Sequence, residues 1–290
     1  MQENNATQVA TIPFILSLLE ESEESLRAQD IAPEDLVAIY NDFLTRKSEL
    51  TDIALFISRM MLKASGVHSV KYRIKEPQHL LKKIVRKKKE YPQRRITISN
   101  YLDLINDLVG IRVLHLYKES WAEIGEYIQD KWRLKREPYA YVKDRNRNIH
   151  TDEFTSFGCK VLDHPLGYKA VHFVIETKPE KQRYFVEIQV RTLFEEGWSE
   201  IDHNIRYPDN TNNELLDSVL QLLNKVTTQA DEMASHMRML INRLNEYEQQ
   251  GKTGNLATDL QAFVDKLPVQ EEERKKLYAC IASMTGKAKE

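Results

Sequence analysis

The sequence predicts a mixed α/β or α+β core over roughly residues 50–208, with helices before it and one long helix after it. Three observations carry this. Apolar residues recur at helix spacing up to Gly66. Between Val70 and Arg206, short strand-like stretches alternate with helix-patterned ones. After Tyr207-Pro208-Asp209-Asn210 the pattern switches to an apolar repeat in steps of three and four. The division expected is a helical segment over 1–65, a core over 66–208 and a helical region over 209–290.

In the first segment Leu36, Ile39, Tyr40, Phe43 and Leu44 mark one helical stripe, and Ile53, Phe56, Ile57 and Met60 continue it. Val70–Lys75 then reads as extended, Gln78–Glu90 and Ser99–Asn106 as helical, and Gly110–Tyr117 as a strand. Phe157–Leu162, Tyr168–Glu176 and Arg183–Arg191 read as further strands, and Thr192–Arg206 as a helix. Thr192-Leu193-Phe194-Glu195 is a capping box at its start, and Phe194, Trp198, Ile201 and Ile205 are its expected stripe. Leu216, Val219, Leu223, Val226, Ala230, Met233, Met237, Leu240, Leu244 and Tyr247 form a heptad seam. Such a seam pairs with a second copy or with the chain's own first or last helices. Gly251–Gly254 reads as a break before a last helix over about 258–284.

The chain has 290 residues, 41% hydrophobic and 30% charged, which is ordinary globular composition. Cys159 and Cys280 make neither a disulfide framework nor a four-cysteine zinc site, so a reducing, cytoplasmic setting is expected. Ile12–Leu19 is too short for a membrane span, and an acidic cluster follows it where a signal peptide would not have one. The formal net charge is −2, yet eleven Lys and Arg crowd between Lys71 and Arg95 against only Glu76 and Glu90. That density suits a polyanionic ligand, with a solvated helix face as the alternative.

On the segment Tyr184–Arg191, period-two geometry sends Val186, Ile188 and Val190 to one face and Glu187, Gln189 and Arg191 to the other. The polar face is either solvent-exposed or lines a site. Asp107 precedes the strand Gly110–Tyr117, and with Glu187 it offers two carboxylates, the donor set Mg²⁺ favours alongside substrate phosphates. His79, Lys83 and Arg86 share a helix face. Arg73 and Lys75 share one side of the extended segment before it, an arrangement fit to clamp a triphosphate. Tyr168 and His172 lie on one strand face beside the polar comb, and Tyr168 is a stacking platform or simple core filler.

Four segments in this order resemble the synthetase domain of the RelA/SpoT alarmone enzymes. They are Arg73-x-Lys75 with Lys83, Asp107-Leu-Val-Gly-Ile-Arg112, Gly167-Tyr168-Lys-Ala-Val-His172, and Glu187-Ile-Gln-Val-Arg-Thr192. The last continues to Trp198 and Glu200-Ile-Asp-His203, as in the small single-domain members, and the likeness covers about 140 residues. The resemblance implies an α+β, nucleotidyltransferase-like mixed sheet flanked by helices. It implies transfer of the β,γ-pyrophosphate of ATP to the 3′-hydroxyl of GDP or GTP. Arg73 would pack on adenine, Lys75 and Lys83 would hold phosphates, and His79 would stand in the ATP motif. Asp107 and Glu187 would bind Mg²⁺, with Glu187 accepting the hydroxyl's proton. Tyr168 would stack on the acceptor base, with His172, Gln189 and Arg191 completing the pocket.

Three positions depart from the family pattern. His79 stands for the usual Ser, Leu166 for the usual Asn before Gly-Tyr, and His164 for a Lys. The guanine half therefore keeps fewer of the family's residues than the ATP half. Two alternatives stay open: a tRNA-directed pyrophosphokinase served by Arg133, Lys135, Arg136, Lys143, Arg145 and Arg147, and an inactive nucleotide or RNA sensor that self-associates through the 216–247 helix. No His-Asp dipeptide occurs, so alarmone hydrolysis is not expected, and Glu200-x-x-His203 lacks the second copy a metal bundle needs.

Overall fold

The computed structural model describes residues 9–143, 151–206, 213–250, 256–265, 267 and 269–284. Arg145, Arg147, the Tyr207–Asn210 boundary, the Gly251–Gly254 break and the side chain of Tyr247 lie outside the described residues. The chain opens with three helices, α1 (Ile12–Leu19), α2 (Glu23–Ala28) and α3 (Pro33–Met61). Pro33 at the first position of α3, with Glu34 and Asp35 behind it, suits the positive end of a helix.

The core alternates as the sequence suggests. β1 (Val67–Ile74) is followed by α4 (Pro77–Glu90), the short α5 (Tyr101–Leu104) and β2 (Val109–His115). Then come α6 (Ser120–Lys131), β3 (Tyr139–Val142), α7 (Thr151–Ser156), β4 (Lys160–Asp163), β5 (Ala170–Thr177), β6 (Tyr184–Thr192) and α8 (Leu193–Arg206). Helix α6 and strand β3 had no reading in the sequence. The stretch expected as one helix over Ser99–Asn106 holds only the single turn of α5. The six strands form one sheet in the order β1-β2-β6-β5-β3-β4. Within it β2 runs parallel to β6 and β3 to β4, and the other pairs are antiparallel.

One continuous apolar core joins α1–α4 and α6 to one face of this sheet, from Ile15 through Phe43 and Ile57 to Val186, Ile188 and Val190. On α4 the buried side chains are Leu80, Leu81, Ile84 and Val85, the inward set expected. On α3 the lower stripe is Leu50, Ile53, Ala54, Ile57 and Met61, while Phe56 is 56% exposed. The stripe therefore runs about one residue away from the expected one.

Three helices end the chain, α9 (Glu214–Gln250), α10 (Leu256–Asp265) and α11 (Glu271–Met284), so the last region is two helices and not one. Leu260, Val264, Leu267 and Ile281 form a second small core there, with Met233, Leu240 and Leu244 of α9 packed on it. Among the described residues no helix is long and apolar enough to cross a membrane.

Candidate active site

The candidate site lies on the sheet face away from the α3 core, where the end of β1 meets the starts of β2 and β6. Register sets this. Arg73 of β1 pairs with Gly110 of β2, and Gly110 pairs with Glu187 of β6. Gly110 leaves room for the Arg73 stem, since a Cβ there would sit 3.4 Å from Arg73 Cγ. Lys75 continues the ladder by donating its N–H to Leu108 at 2.9 Å.

Lys75 Nζ and Lys83 Nζ both reach Asp107 Oδ2, at 2.8 and 2.7 Å, and the three side chains are only 11–19% exposed. Burial works against the Asp107 charge, but Lys83 and Lys75 more than offset it and hold the carboxyl below its ordinary value. At Lys75 burial wins over Asp107 and lowers the ammonium. His79 stands beside this group, its imidazolium disfavoured by burial and then by Lys75 and Lys82. The basic run thus divides into two sets. Arg73, Lys75, His79 and Lys83 gather here. Lys88 is buried on Asp30 at 2.7 Å, Arg95 holds Asp35 at 3.0 Å, and both fasten α4 and the segment after it to the N-terminal helices.

The polar comb of β6 is internally bonded. Gln189 Nε2 donates to Glu187 Oε2 at 2.8 Å, and Arg191 Nη2 donates to Gln189 Oε1 at 3.0 Å. Arg191 is 2% exposed, and it also meets Ser199 Oγ at 2.9 Å and Glu196 at 2.9 Å. Tyr168, His172 and Glu187 line up. Tyr168 Oη is 2.9 Å from His172 Nε2, and His172 Nδ1 is 3.5 Å from Glu187 Oε1. Burial raises the Tyr168 hydroxyl to about 12, so it stays a phenol. Burial would raise Glu187 too, but His172, Gln189 and Lys83 overcome it and bring the carboxyl down to about 2. Lys83 therefore acts on both carboxylates.

Asp107 Oδ1 is buried with no hydrogen-bond partner among the described residues, an oxygen left over by the two lysines. Glu187 is held as an anion. Two hard carboxylates are the protein donor set that Mg²⁺ usually takes beside substrate phosphates. Among the described residues no group of three or more His, Cys, Asp or Glu forms a metal cage, and Glu200 is engaged by Arg112.

Sequence reasoning missed several participants. Tyr141 of β3 packs edge-on against His172 with ring centroids 4.8 Å apart and against Tyr168 at 5.9 Å. Glu196, 4% exposed, collects Lys71, Arg112 and Arg191 from three strands. A Glu in the first turn of a helix reads locally as a dipole partner, and only the sheet shows that it also neutralises three cations. The capping box is present, with Thr192 N on Glu195 Oε2 at 2.9 Å and Glu195 N on Thr192 Oγ1 at 3.1 Å. The N-terminus of α8 is thereby filled by its own carboxylates. Of the stripe expected on α8, Trp198 is buried, while Phe194 and Ile201 are 41% and 43% exposed.

The family model described as "Region found in RelA / SpoT proteins" matches residues 72–212. No curated protein sequence matches this one. Among solved structures, a GTP pyrophosphokinase family protein from Streptococcus pneumoniae is 20% identical, with a TM-score of 0.47, covering 73% of this chain and 95% of that one. The small alarmone synthetase 1 from Bacillus subtilis is 18% identical, with a TM-score of 0.48, covering 69% and 95%. The same protein bound to its product pppGpp gives 18%, 0.49, 68% and 95%.

Proposed function

We propose that this chain, whose residues 72–212 match the RelA/SpoT family model, is an ATP-dependent pyrophosphokinase acting on the 3′-hydroxyl of GDP or GTP to make (p)ppGpp. The observation that carries the reading is the buried Lys75–Asp107–Lys83 group beside Glu187. Lys75 and Lys83 neutralise Asp107 in the free protein and turn to the phosphates of ATP when it binds. Arg73, exposed on β1, packs on adenine, and His79 lines the same edge. Mg²⁺ held by Asp107 and Glu187 would withdraw charge from the transferred group. The chain's own contribution is then positioning and charge neutralisation, the general means of phosphoryl-type catalysis.

Glu187, ionised, orients the acceptor hydroxyl and accepts its proton as the oxygen attacks. His172 fixes Glu187 and is itself fixed by Tyr168. Tyr168 offers its ring to the acceptor base, and Arg191, buried, holds Gln189 in place. The face α9 leaves exposed, including Val219, Val226 and Met237, is where we place self-association in a cytoplasmic enzyme.

The test is incubation with γ-labelled ATP and Mg²⁺ and with GDP, GTP, AMP or tRNA as acceptor. Label on GDP or GTP supports the reading, and label on tRNA alone replaces it with the tRNA-directed activity. Glu187→Gln and Asp107→Asn should each lower transfer by about a hundredfold or more, in variants that lose some stability and stay folded by circular dichroism at the assay temperature. Wild-type turnover in either variant removes that residue from the site, and no label on any acceptor points to a nucleotide sensor.

A further inference from the structure

The C-terminal helix reaches into the acceptor side of the site. Asn224 of α9 is 5% exposed, and its Nδ2 donates to the carbonyl of Gly167 at 3.1 Å. One turn on, Thr228 Oγ1 accepts from Lys169 Nζ at 2.6 Å and donates to the carbonyl of Asn224 at 2.7 Å. A single turn of α9 therefore ties the residues on both sides of Tyr168, while Tyr168 itself points to His172. The fit is tight. Gly167 has φ +78°, and a Cβ there would lie 3.1 Å from Asn224 Oδ1, so both the backbone and Asn224 select glycine. Strand β5 begins after them, at Ala170 and not at Tyr168.

We propose that Asn224 and Thr228 are positioning residues for the acceptor: by clamping Gly167 and Lys169 they hold the Tyr168 ring and, through His172, the orientation of Glu187. The proposal rests on the pyrophosphate-transfer reading of the same site. Nothing in α9 touches Lys75, Lys83 or Asp107 among the described hydrogen bonds and ion pairs. Loss of the clamp therefore falls on the acceptor and spares ATP.

Thr228→Val keeps the shape and removes the hydroxyl, and Asn224→Asp keeps the shape and removes the donor to Gly167. Each should raise the acceptor KM by roughly fivefold to tenfold, the worth of one buried hydrogen bond, more for one to a charged group. The ATP KM should stay within about twofold, and Thr228→Ser should restore the wild-type acceptor KM. Amide hydrogen exchange over residues 164–172, measured in the same full-length proteins, reads the clamp without any reaction. Exchange should quicken in Thr228→Val and Asn224→Asp and return to wild type in Thr228→Ser. Unchanged exchange, or lowered thermal stability with both KM values unchanged, or both KM values rising together, overturns the proposal. A wild type that labels no acceptor defeats the functional reading, and the exchange result still decides the clamp.

Discussion

Helices α3 and α9 are the two longest among the described residues, and they hold to the rest of the chain by opposite chemistry: α3 packs on the sheet, and α9 packs on α8 and on the loops around Tyr117 and Gly167. Helix α3 buries Leu36, Ile39, Phe43, Leu50, Ile53, Ile57 and Met61 in the main core, each at most 4% exposed. Helix α9 meets the core through a seam that is mostly polar, Asp217, Leu220, Asn224, Thr228, Asp231, Ser235 and Arg238, again in steps of three and four. Asp217 pairs with Arg206 at 2.7 Å, the Leu220 carbonyl accepts from Trp198, and Ser235 donates to Glu119 at 2.8 Å. Arg238 donates to Ser120 at 2.9 Å. Its apolar heptad lies one residue away, about 100° around the helix, and leaves Val219, Val226 and Met237 at 52–59% exposed. A helix docked by hydrogen bonds gives up less when it shifts than one docked by buried area, because water replaces lost hydrogen bonds but not lost apolar contacts. The acceptor loop hangs on the second kind of helix, and the ATP lysines sit beside the first.

The largest effect that tests this contrast is Phe43→Ala, which should cost about 3–5 kcal/mol and lower the midpoint of denaturant unfolding for the whole chain. A loss confined to the N-terminal helices, read by site-resolved hydrogen exchange, would break the picture of one shared core. Asp231 gives the next largest. It is fully buried. Burial, then the charge of Glu195, lifts its pKa to about 7, with the Thr192 hydroxyl, Lys118 and Lys169 pulling only part of the way back. The unfolded chain releases this proton near pH 4 and the folded chain keeps it to about pH 7. The folded state thus binds more protons in that window, and stability falls as pH rises through it. Asp231→Asn should raise stability at pH 8 on the order of 2 kcal/mol, with the gain shrinking toward pH 5. Thermal melts across that range check it, and a gain independent of pH would show that the carboxyl is not the cause.

The smallest effect concerns the exposed heptad. Val226→Glu with Met237→Glu should change monomer stability by within about 0.5 kcal/mol, because both sites face solvent. The same double variant should abolish any concentration-dependent rise in mass seen by light scattering. A drop of several kcal/mol at high dilution would mean that Val226 and Met237 pack within the chain, as Met233, Leu240 and Leu244 do, and the contrast with α3 would fail.

Much of the site was legible because it depends on short-range order. Alternation along Tyr184–Thr192 separates Glu187, Gln189 and Arg191 from the core face, helix spacing turns Lys83 with His79 away from Leu80 and Ile84, and Thr192 and Glu195 cap a helix within four residues. The order of motifs pointed to Asp107 and Glu187 as partners, although each is an ordinary carboxylate alone. The reading of α9 went differently. Its apolar repeat was visible and correctly spaced, yet the face that meets α8 and the loops at Gly167 and Glu119 is the neighbouring one, since a repeat fixes which residues share a side and not what that side meets. Asn224 and Thr228 carry no local signal at all. An Asn and a Thr inside a helix read as solvent-facing, and their meaning comes from the Gly167 carbonyl and the Lys169 ammonium. Likewise, nothing near Glu196 announces three cations from three strands. The sequence alone determined most of the elements, the inward faces of α4 and β6 and the set of chemical groups, because backbone periodicity and capping act over a few residues. Tertiary structure alone decided which groups meet across β1, β2, β6 and α9, because burial sets the partners, charges and pKa values, and burial arises from chain segments far apart in sequence.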